Sequence, residues 1–315
     1  MRVLVTGGAG FIGSHVAERL LRDGHQVVVI DNQSTGKQAN VPEGVDYVQG
    51  DVRKPEDLEV VFAGDVDAVC HIAGQVSLVL SFSDPVMDLR TNVEGAVNVL
   101  QCCLKHRVPR LLYASSMTTY GRVDALPIPE TAPCRPISYY GIGKYAAECY
   151  VHTTAERMDL ECDLHVTSFR MYNVYGPRQA LDNPYQGVLG IFIGNRLRGE
   201  PLTIFGDGDQ SRDFVYIDDV VDAWSRALTA PSTYGRIFNL GSGRRLSINQ
   251  LAEHVIAAFA GPRTPGLIRR APARSGEQRH VQADIRNLSE ALGWQPSVPF
   301  DVGLERTCRW AEKAL

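Results

Sequence analysis

A tyrosine stands four residues before a lysine in Tyr140-Gly-Ile-Gly-Lys144, inside a stretch whose pattern predicts a helix over Ser138–Arg157. Side chains four apart share one helix face. A phenol with an ordinary pKa near about 10 is a poor base at neutral pH. An ammonium beside it favours the phenolate and tunes it toward general-base work. Ser116 follows an apolar run, Arg110–Ser115, and its hydroxyl can bind the same substrate oxygen. The plainer reading of any Tyr-x-x-x-Lys is a surface ring with a lysine stem lying along it.

The segment Thr6-Gly7-Gly8-Ala9-Gly10-Phe11-Ile12-Gly13 reads as GxxGxxG from Gly7 and as GxGxxG from Gly8. It follows a strand-like run, Arg2–Thr6, and opens a helical pattern, Phe11–Asp23. Without a Cβ the backbone turns sharply and approaches a pyrophosphate. The helix start supplies free N–H groups and positive dipole. A glycine at position 13 also permits close helix–sheet packing. Asp31 ends the run Gln26–Asp31, 18 residues after Gly13. There a carboxylate can accept from the adenosine ribose hydroxyls of a dinucleotide. It would repel a 2′-phosphate, which favours NAD over NADP; Lys37 is the one contrary signal. The positive nicotinamide ring of oxidised NAD would add to the charge of Lys144 beside Tyr140.

These residues need elements to hold them. Val45–Gln49 and Ala68–Ile72 read as further strands, with helices near Pro55–Phe62 and Asp88–His106. Strands alternating with helices predict βαβ units and a parallel sheet. Beyond about residue 175, proline and glycine become frequent and the pattern less regular. Asp218–Leu228 and Ser247–Ala260 still read as helices, the latter opening with a possible capping box, Ser247-x-x-Gln250. The 315 residues suit one large α/β domain or two smaller ones. A 44% hydrophobic share is too high for a disordered chain, and no window approaches a membrane span. The net charge of −4 argues against a dedicated nucleic-acid binder. Seven scattered cysteines without a Cys/His cluster predict neither a zinc site nor a disulfide framework. With no signal-peptide pattern at the start, the expectation is a reduced, cytoplasmic protein without a metal.

Over nearly its whole length the chain resembles the extended short-chain dehydrogenase/reductase family, and within it the nucleotide-sugar 4-epimerases. The matching segments are TGGAGFIGSH (6–15), DN (31–32), GDVR (50–53), HIAGQVS (71–77), TNVEG (91–95) and SSMTTYG (115–121). They continue with YYGIGK (139–144), RMYNVYGPRQ (170–179), GDGDQSRDFVYIDDV (206–220) and NLGSG (239–243). The resemblance implies an α/β fold: a doubly wound parallel sheet (Rossmann fold) with a smaller mixed α/β substrate-binding C-terminal region. Residues 1–175 would form the NAD-binding domain, with about 210–245 returning to it, and 176–315 mainly the nucleotide-sugar region. It further implies that Gly7, Gly10, Phe11, Ile12 and Gly13 hold the pyrophosphate, and Asp31 and Asn32 the adenosine ribose. Asp51 and Val52 would flank the adenine. Ala73, Gly74 and Gln75 would line the dinucleotide, with Asn92 near it. Ser116, Tyr140 and Lys144 match the catalytic triad, with Tyr140 and Lys144 also touching NAD. Asn173 matches a contact to the sugar diphosphate. Arg212, Arg274 and Glu277 match the residues that hold the nucleotide diphosphate and its ribose. A salt bridge from Arg212 to Asp213 or Asp218, and a surface pair of Arg274 with Glu277, are the plain alternatives.

The implied reaction is inversion at C4 of a UDP-hexose through a 4-keto sugar, with Tyr140 as base and NAD retained. Dehydratases of the family carry an Asp-Glu pair, and UDP-glucuronate decarboxylases a glutamate, where this chain has Met117 and Thr118. Neither of those can act as acid or base. Tyr139 replaces a common proline, so two tyrosines compete; spacing to Lys144 favours Tyr140. Val281 falls at a position bordering the sugar, or only packs the cleft wall. It leaves UDP-GlcNAc and UDP-glucuronate open beside UDP-glucose and UDP-galactose. A nucleotide-4-keto-sugar reductase and a non-catalytic NAD sensor are the rival functions. A homodimer is implied through the helices of Asp88–His106 and Ser138–Arg157. Cys102, Cys103, Ala146 and Ala147 could allow close packing there or face their own sheet.

Overall fold

The computed structural model describes residues 1–181, 187–259, 267–273 and 278–314. The first half runs β1 (Arg2–Thr6), α1 (Phe11–Arg22), β2 (Gln26–Asp31), β3 (Asp46–Gln49), α2 (Pro55–Phe62), β4 (Ala68–His71), α3 (Leu78–Ser83), α4 (Pro85–Leu89), α5 (Gly95–Lys105), β5 (Arg110–Ser116), α6 (Tyr139–Ala155) and β6 (His165–Met171). The second runs β7 (Asn173–Tyr175), α7 (Val188–Leu197), β8 (Leu202–Phe205), β9 (Ser211–Arg212), β10 (Phe214–Tyr216), α8 (Ile217–Thr229), β11 (Arg236–Leu240), β12 (Leu246–Ser247), α9 (Ile248–Ala258), β13 (Ile268–Ala271), α10 (Arg286–Leu292) and α11 (Phe300–Ala314).

The apolar runs become strands because both of their faces are covered. Along β1, Val3 and Val5 enter one core while Leu4 enters the other; β2 divides Val27 and Val29 from Val28 and Ile30 in the same way. That is the two-residue period of a strand. On one face α1 and α8 cover the sheet; on the other lie α2, α5 and α6. The central sheet is parallel throughout, ordered β3-β2-β1-β4-β5-β6-β11. Its order reverses between β1 and β4, the place where doubly wound sheets open a crevice beyond their strand ends. Because every strand runs the same way, Gly7, Asp31, Ala73 and Ser116 all leave the sheet at one edge. The smaller pairs β7–β10, β9–β12 and β8–β13 stand with α7, α9 and α11 beyond that edge. No helix among the described residues is long and apolar enough to cross a membrane.

Most element boundaries fall within a residue or two of the sequence reading, and Ser247 and Gln250 close a complete capping box. The helix expected over Asp88–His106 differs. It is α4, a π-helical turn at Arg90–Glu94, and then α5. Asp84 starts α4 by accepting from the Met87 N–H at 3.0 Å, with Pro85 in the first turn. Single π turns inside helices are rare and gather at functional sites.

Helix α6 is held to the sheet by an ion pair inside the protein. Arg170 of β6 donates from Nε and Nη2 to both carboxylate oxygens of Glu148, at 3.1 and 2.6 Å, with both side chains buried. A third nitrogen reaches the Glu130 carbonyl at 3.1 Å, and the guanidinium lies 4.7 Å over the Tyr120 ring. Replacing Glu148 by alanine strands a buried cation, which typically costs about 3–5 kcal/mol. Urea unfolding of Glu148→Ala should therefore show a loss of that size with an unchanged slope; a loss under about 1 kcal/mol would mean Arg170 finds water instead.

Candidate functional site

The loop after β1 is built around glycine. Gly7 has φ +70°, and a Cβ there would lie 2.8 Å from the Ala73 backbone. A Cβ on Gly13 would collide with the Gly7 carbonyl, and one on Gly10 would reach 3.2 Å from it. The loop is thus pressed between β4's exit and α1. Gly10 caps α1 with no side-chain bond and no acidic residue follows in the first turn, so the helix start keeps its positive end open. Phe11 and Ile12 form that first turn, half-buried. Asp31 accepts from Ala9 N at 3.0 Å and Gln33 N at 2.7 Å, which ties the end of β2 to the glycine loop.

On the β3 side, Asn32 donates to Asp51 at 3.1 Å, and Arg53 grips the same carboxylate. That grip, chiefly the Arg53 hydrogen bonds, holds Asp51 down at about 2. Val52 is buried and its carbonyl accepts from Asn98 at 3.1 Å. Across the crevice, Thr6 Oγ1 receives the Ala73 N–H at 3.1 Å. Gly74 stands where a Cβ would meet Asn92 Oδ1 at 2.7 Å and Lys144 Nζ at 3.0 Å. Gln75 Nε2 donates to Asp88 Oδ1 at 2.7 Å. Asn92, in the π turn, is buried, and its Oδ1 has no hydrogen-bond partner. An open helix start and a glycine floor are features a dinucleotide would occupy.

Ser116 ends β5, and its Oγ accepts from Thr118 N and Oγ1 at 3.2 and 2.9 Å. Of the two adjacent tyrosines, Tyr140 is turned inward at 9% exposure. Tyr139 stands outward at 47%, its ring 5.2 Å from Phe82. Lys144 is buried, donates to the Ala114 carbonyl at 3.0 Å and lies 5.3 Å over the Tyr113 ring. Burial lowers the lysine to about 8, with Asp88 opposing. Burial also pushes Tyr140 up to about 12, against the pull of its Ser116 hydrogen bond and with Asp88 adding to the rise. The sequence reading expected the phenolate to be favoured by Lys144 together with the positive nicotinamide ring of bound NAD; among the chain's own groups, burial outweighs the Ser116 hydrogen bond.

On the substrate side, Asn173 donates from Nδ2 and from its backbone N–H to the Asp213 carbonyl, both at 3.0 Å. Arg212 is buried and donates to Ser211 O at 2.9 Å, among other bonds. Asp213 turns its carboxylate to Ser242, Gly243 and Ala283 at 2.7–3.0 Å. Asp218 pairs instead with Arg306 at 3.3 Å. Val281 is buried with Tyr172 and Ala283, and Met117 packs against them. Arg274 and Glu277 lie outside the described residues. The sequence reading missed Asp88. Its spacing of four before Asn92, just past Asp84-Pro85, is the signal that could have found it.

The family model of the NAD dependent epimerase/dehydratase family matches residues 3–241. The chain belongs to that family. Its dinucleotide is therefore NAD, and the cradle after β1 has the glycines, open helix start and terminal aspartate that NAD needs. A putative UDP-glucose 4-epimerase of Methanocaldococcus jannaschii is 35% identical over 309 residues, 98% of this chain and 97% of that protein. Among solved structures, a Thermotoga maritima UDP-glucose 4-epimerase with UDP-glucose superposes with a TM-score of 0.93. It is 37% identical, and the match covers 100% of this chain and 99% of that one. A Thermus thermophilus UDP-glucose 4-epimerase in complex with NAD gives 0.90 and 36%, covering both chains fully.

If the cradle is as tight as these contacts imply, Gly13→Ala should purify without NAD and bind added NAD at least about tenfold more weakly, because either the loop or α1 must shift. Calorimetric titration with NAD checks this, and wild-type affinity in a folded Gly13→Ala would contradict it.

Proposed function

We propose that this protein inverts C4 of a UDP-hexose, with UDP-glucose and UDP-galactose as the first pair, and that Tyr140 is the base. The observation that carries the reading is the buried group of Ser116, Tyr140 and Lys144 at the same sheet edge as the NAD cradle. Tyr140, as its phenolate, takes the proton of the C4 hydroxyl and returns it to the same oxygen when the keto sugar is reduced again, and Ser116 binds that oxygen. Lys144 stands as the cation behind them. NAD, when bound, would supply the hydride acceptor for oxidation at C4 and the hydride donor for the reduction that restores the sugar. Asn173 contacts the sugar diphosphate, and Arg212, Arg274 and Glu277 hold the nucleotide diphosphate and its ribose; a guanidinium is a forked donor suited to phosphate. Asp213's bonds from three backbone N–H groups, of Ser242, Gly243 and Ala283, support the placement of its neighbour Arg212.

Met117 and Thr118 offer no acid or base, which supports epimerisation over loss of water or carbon dioxide. Val281 is intermediate in size, so UDP-GlcNAc and UDP-glucuronate are the next sugars to test. Mass spectrometry and proton NMR on UDP-glucose incubated without added cofactor should show an equal-mass product inverted at C4. A lighter product, or turnover only with added reduced cofactor and a keto sugar, would overturn the reading in favour of a lyase or a reductase. In the same assay Tyr140→Phe should lose about 10²–10⁴ in kcat, the usual size of general-base catalysis, and still carry NAD.

The homodimer belongs to this reading as well. Leu78, Phe82, Val86, Leu89, Tyr139 and Ile142 are exposed along α3, α4 and the start of α6. An apolar face of this extent is typical of an interaction surface. The small residues serve another purpose: Cys102, Cys103 and Ala147 face their own core, while Ala146 is half-buried. Light scattering should give a dimer mass that Leu89→Asp reduces to a monomer; a monomeric wild type would remove the dimer from the account.

A further inference from the structure

The chain turns back on Ser116 as soon as β5 ends. Met117–Thr119 form one 3₁₀ turn with Ser116 as its N-cap. Ser116 Oγ accepts the Thr118 N–H at 3.2 Å, and the Thr118 hydroxyl bonds the same oxygen at 2.9 Å. An amide N–H only donates, so the first bond fills one lone pair of Ser116 in every protonation state of the site. One lone pair and one proton are left on that oxygen. The second bond, to the Thr118 hydroxyl, settles where the proton points.

The remaining partner of Ser116 is Tyr140, whose phenol is hydrogen-bonded to it. A phenolate only accepts. Once Tyr140 is ionised, the Ser116 proton has to lie toward the phenolate or toward a sugar oxygen beside it. The Thr118 hydroxyl must then donate to Ser116 and cannot receive from it. The row runs Thr118 to Ser116 to Tyr140, and a hydroxyl that receives a hydrogen bond becomes a better donor. The packing keeps the row short. A Cβ on Gly141 would lie 2.8 Å from the Thr118 carbonyl, so the bare glycine lets the 3₁₀ turn rest on the first turn of α6. Ser138 caps that same turn, accepting the Gly141 N–H at 3.1 Å.

We propose that Thr118 is a positioning residue for the C4 chemistry: its hydroxyl and its backbone N–H fill both acceptor sites of Ser116, and so aim the Ser116 proton at the oxygens of Tyr140 and the sugar. The proposal rests on the reading of Tyr140 as base. A valine at 118 keeps the shape and the backbone bond but removes the hydroxyl donor. Ser116 is then a weaker donor, and the phenolate it faces is less stable. A serine at 118 keeps the donor. The other titratable groups about Tyr140 are Asp88 from α4, Tyr113 from β5 and Lys144 one turn along α6. Thr118→Val leaves all three in place.

Two measurements on the full-length, NAD-loaded protein test this, with thermal melting to confirm the fold. The first is UDP-glucose kinetics. Thr118→Val should lose about three- to tenfold in kcat, the scale of one ordinary hydrogen bond, with KM unchanged. The second is an ultraviolet titration of the phenolate, each protein referenced to its own Tyr140→Phe variant so that one tyrosine of the twelve is read. Thr118→Val should move Tyr140 upward by about half a pH unit. Thr118→Ser should restore both readouts. Wild-type kcat and an unmoved Tyr140 in folded Thr118→Val overturn the proposal. So does a loss that Thr118→Ser shares, or a change in KM alone, since neither depends on the hydroxyl donor. If Thr118→Val melts early, Thr118→Ala takes its place under the same criteria. A wild type that leaves UDP-glucose unchanged would sink the epimerase reading instead, and the titration would then decide the role of Thr118 by itself.

Discussion

An ammonium inside a protein has to be given oxygens to face, and Lys144 sets that demand at the centre of this molecule. Its charge meets the Ala114 carbonyl on β5, the face of Tyr113 and the field of Asp88. Burial lowers the lysine to about 8, with Asp88 opposing. The Tyr113 hydroxyl returns to the Lys144 carbonyl at 3.3 Å, so helix and strand are sewn together at the same spot. One turn further along α6, Glu148 is gripped by Arg170. Tyr140, one turn before Lys144, is thereby aimed at Ser116 from a helix that cannot slide. The precision of the site comes from these internal polar bonds across the helix–sheet boundary.

The same boundary raises Tyr140's phenol: desolvation is the larger cause and Asp88 pushes in the same direction, against the Ser116 hydrogen bond. The glycine loop is set by its own packing: there is no room for a Cβ at Gly7 against Ala73, or at Gly13 against the Gly7 carbonyl.

Much of this was legible in the residues. The runs Arg2–Thr6, Gln26–Asp31 and Arg110–Ser115 could only be strands covered on both faces, and the glycines between β1 and α1 carried their own reason. Tyr140 was separable from Tyr139 by spacing, and burial separates them in the same sense. The sequence did not reveal the π turn, because apolar periodicity runs on through Asp88–His106 whether or not one residue is looped out. Nor did it reveal Asp88. A carboxylate four residues before an asparagine looks like a solvated helix face until packing buries both. The direction of Tyr140's shift was also hidden, because spacing places Lys144 nearby but does not show how deeply the phenol is buried. Cys102 and Cys103 read equally well as interface or core, and only the packing of α5 against the sheet decided between them.

The central claim is that one enclosed site removes and returns the same hydrogen at C4. Single-turnover reaction of UDP-glucose deuterated at C4, mixed with unlabelled substrate, measures this most directly. The account predicts that every deuterium lost from the glucose form reappears at C4 of the galactose form of the same molecule, with none in water or in the unlabelled pool. Deuterium released to solvent, or scrambled into the unlabelled substrate, would contradict it.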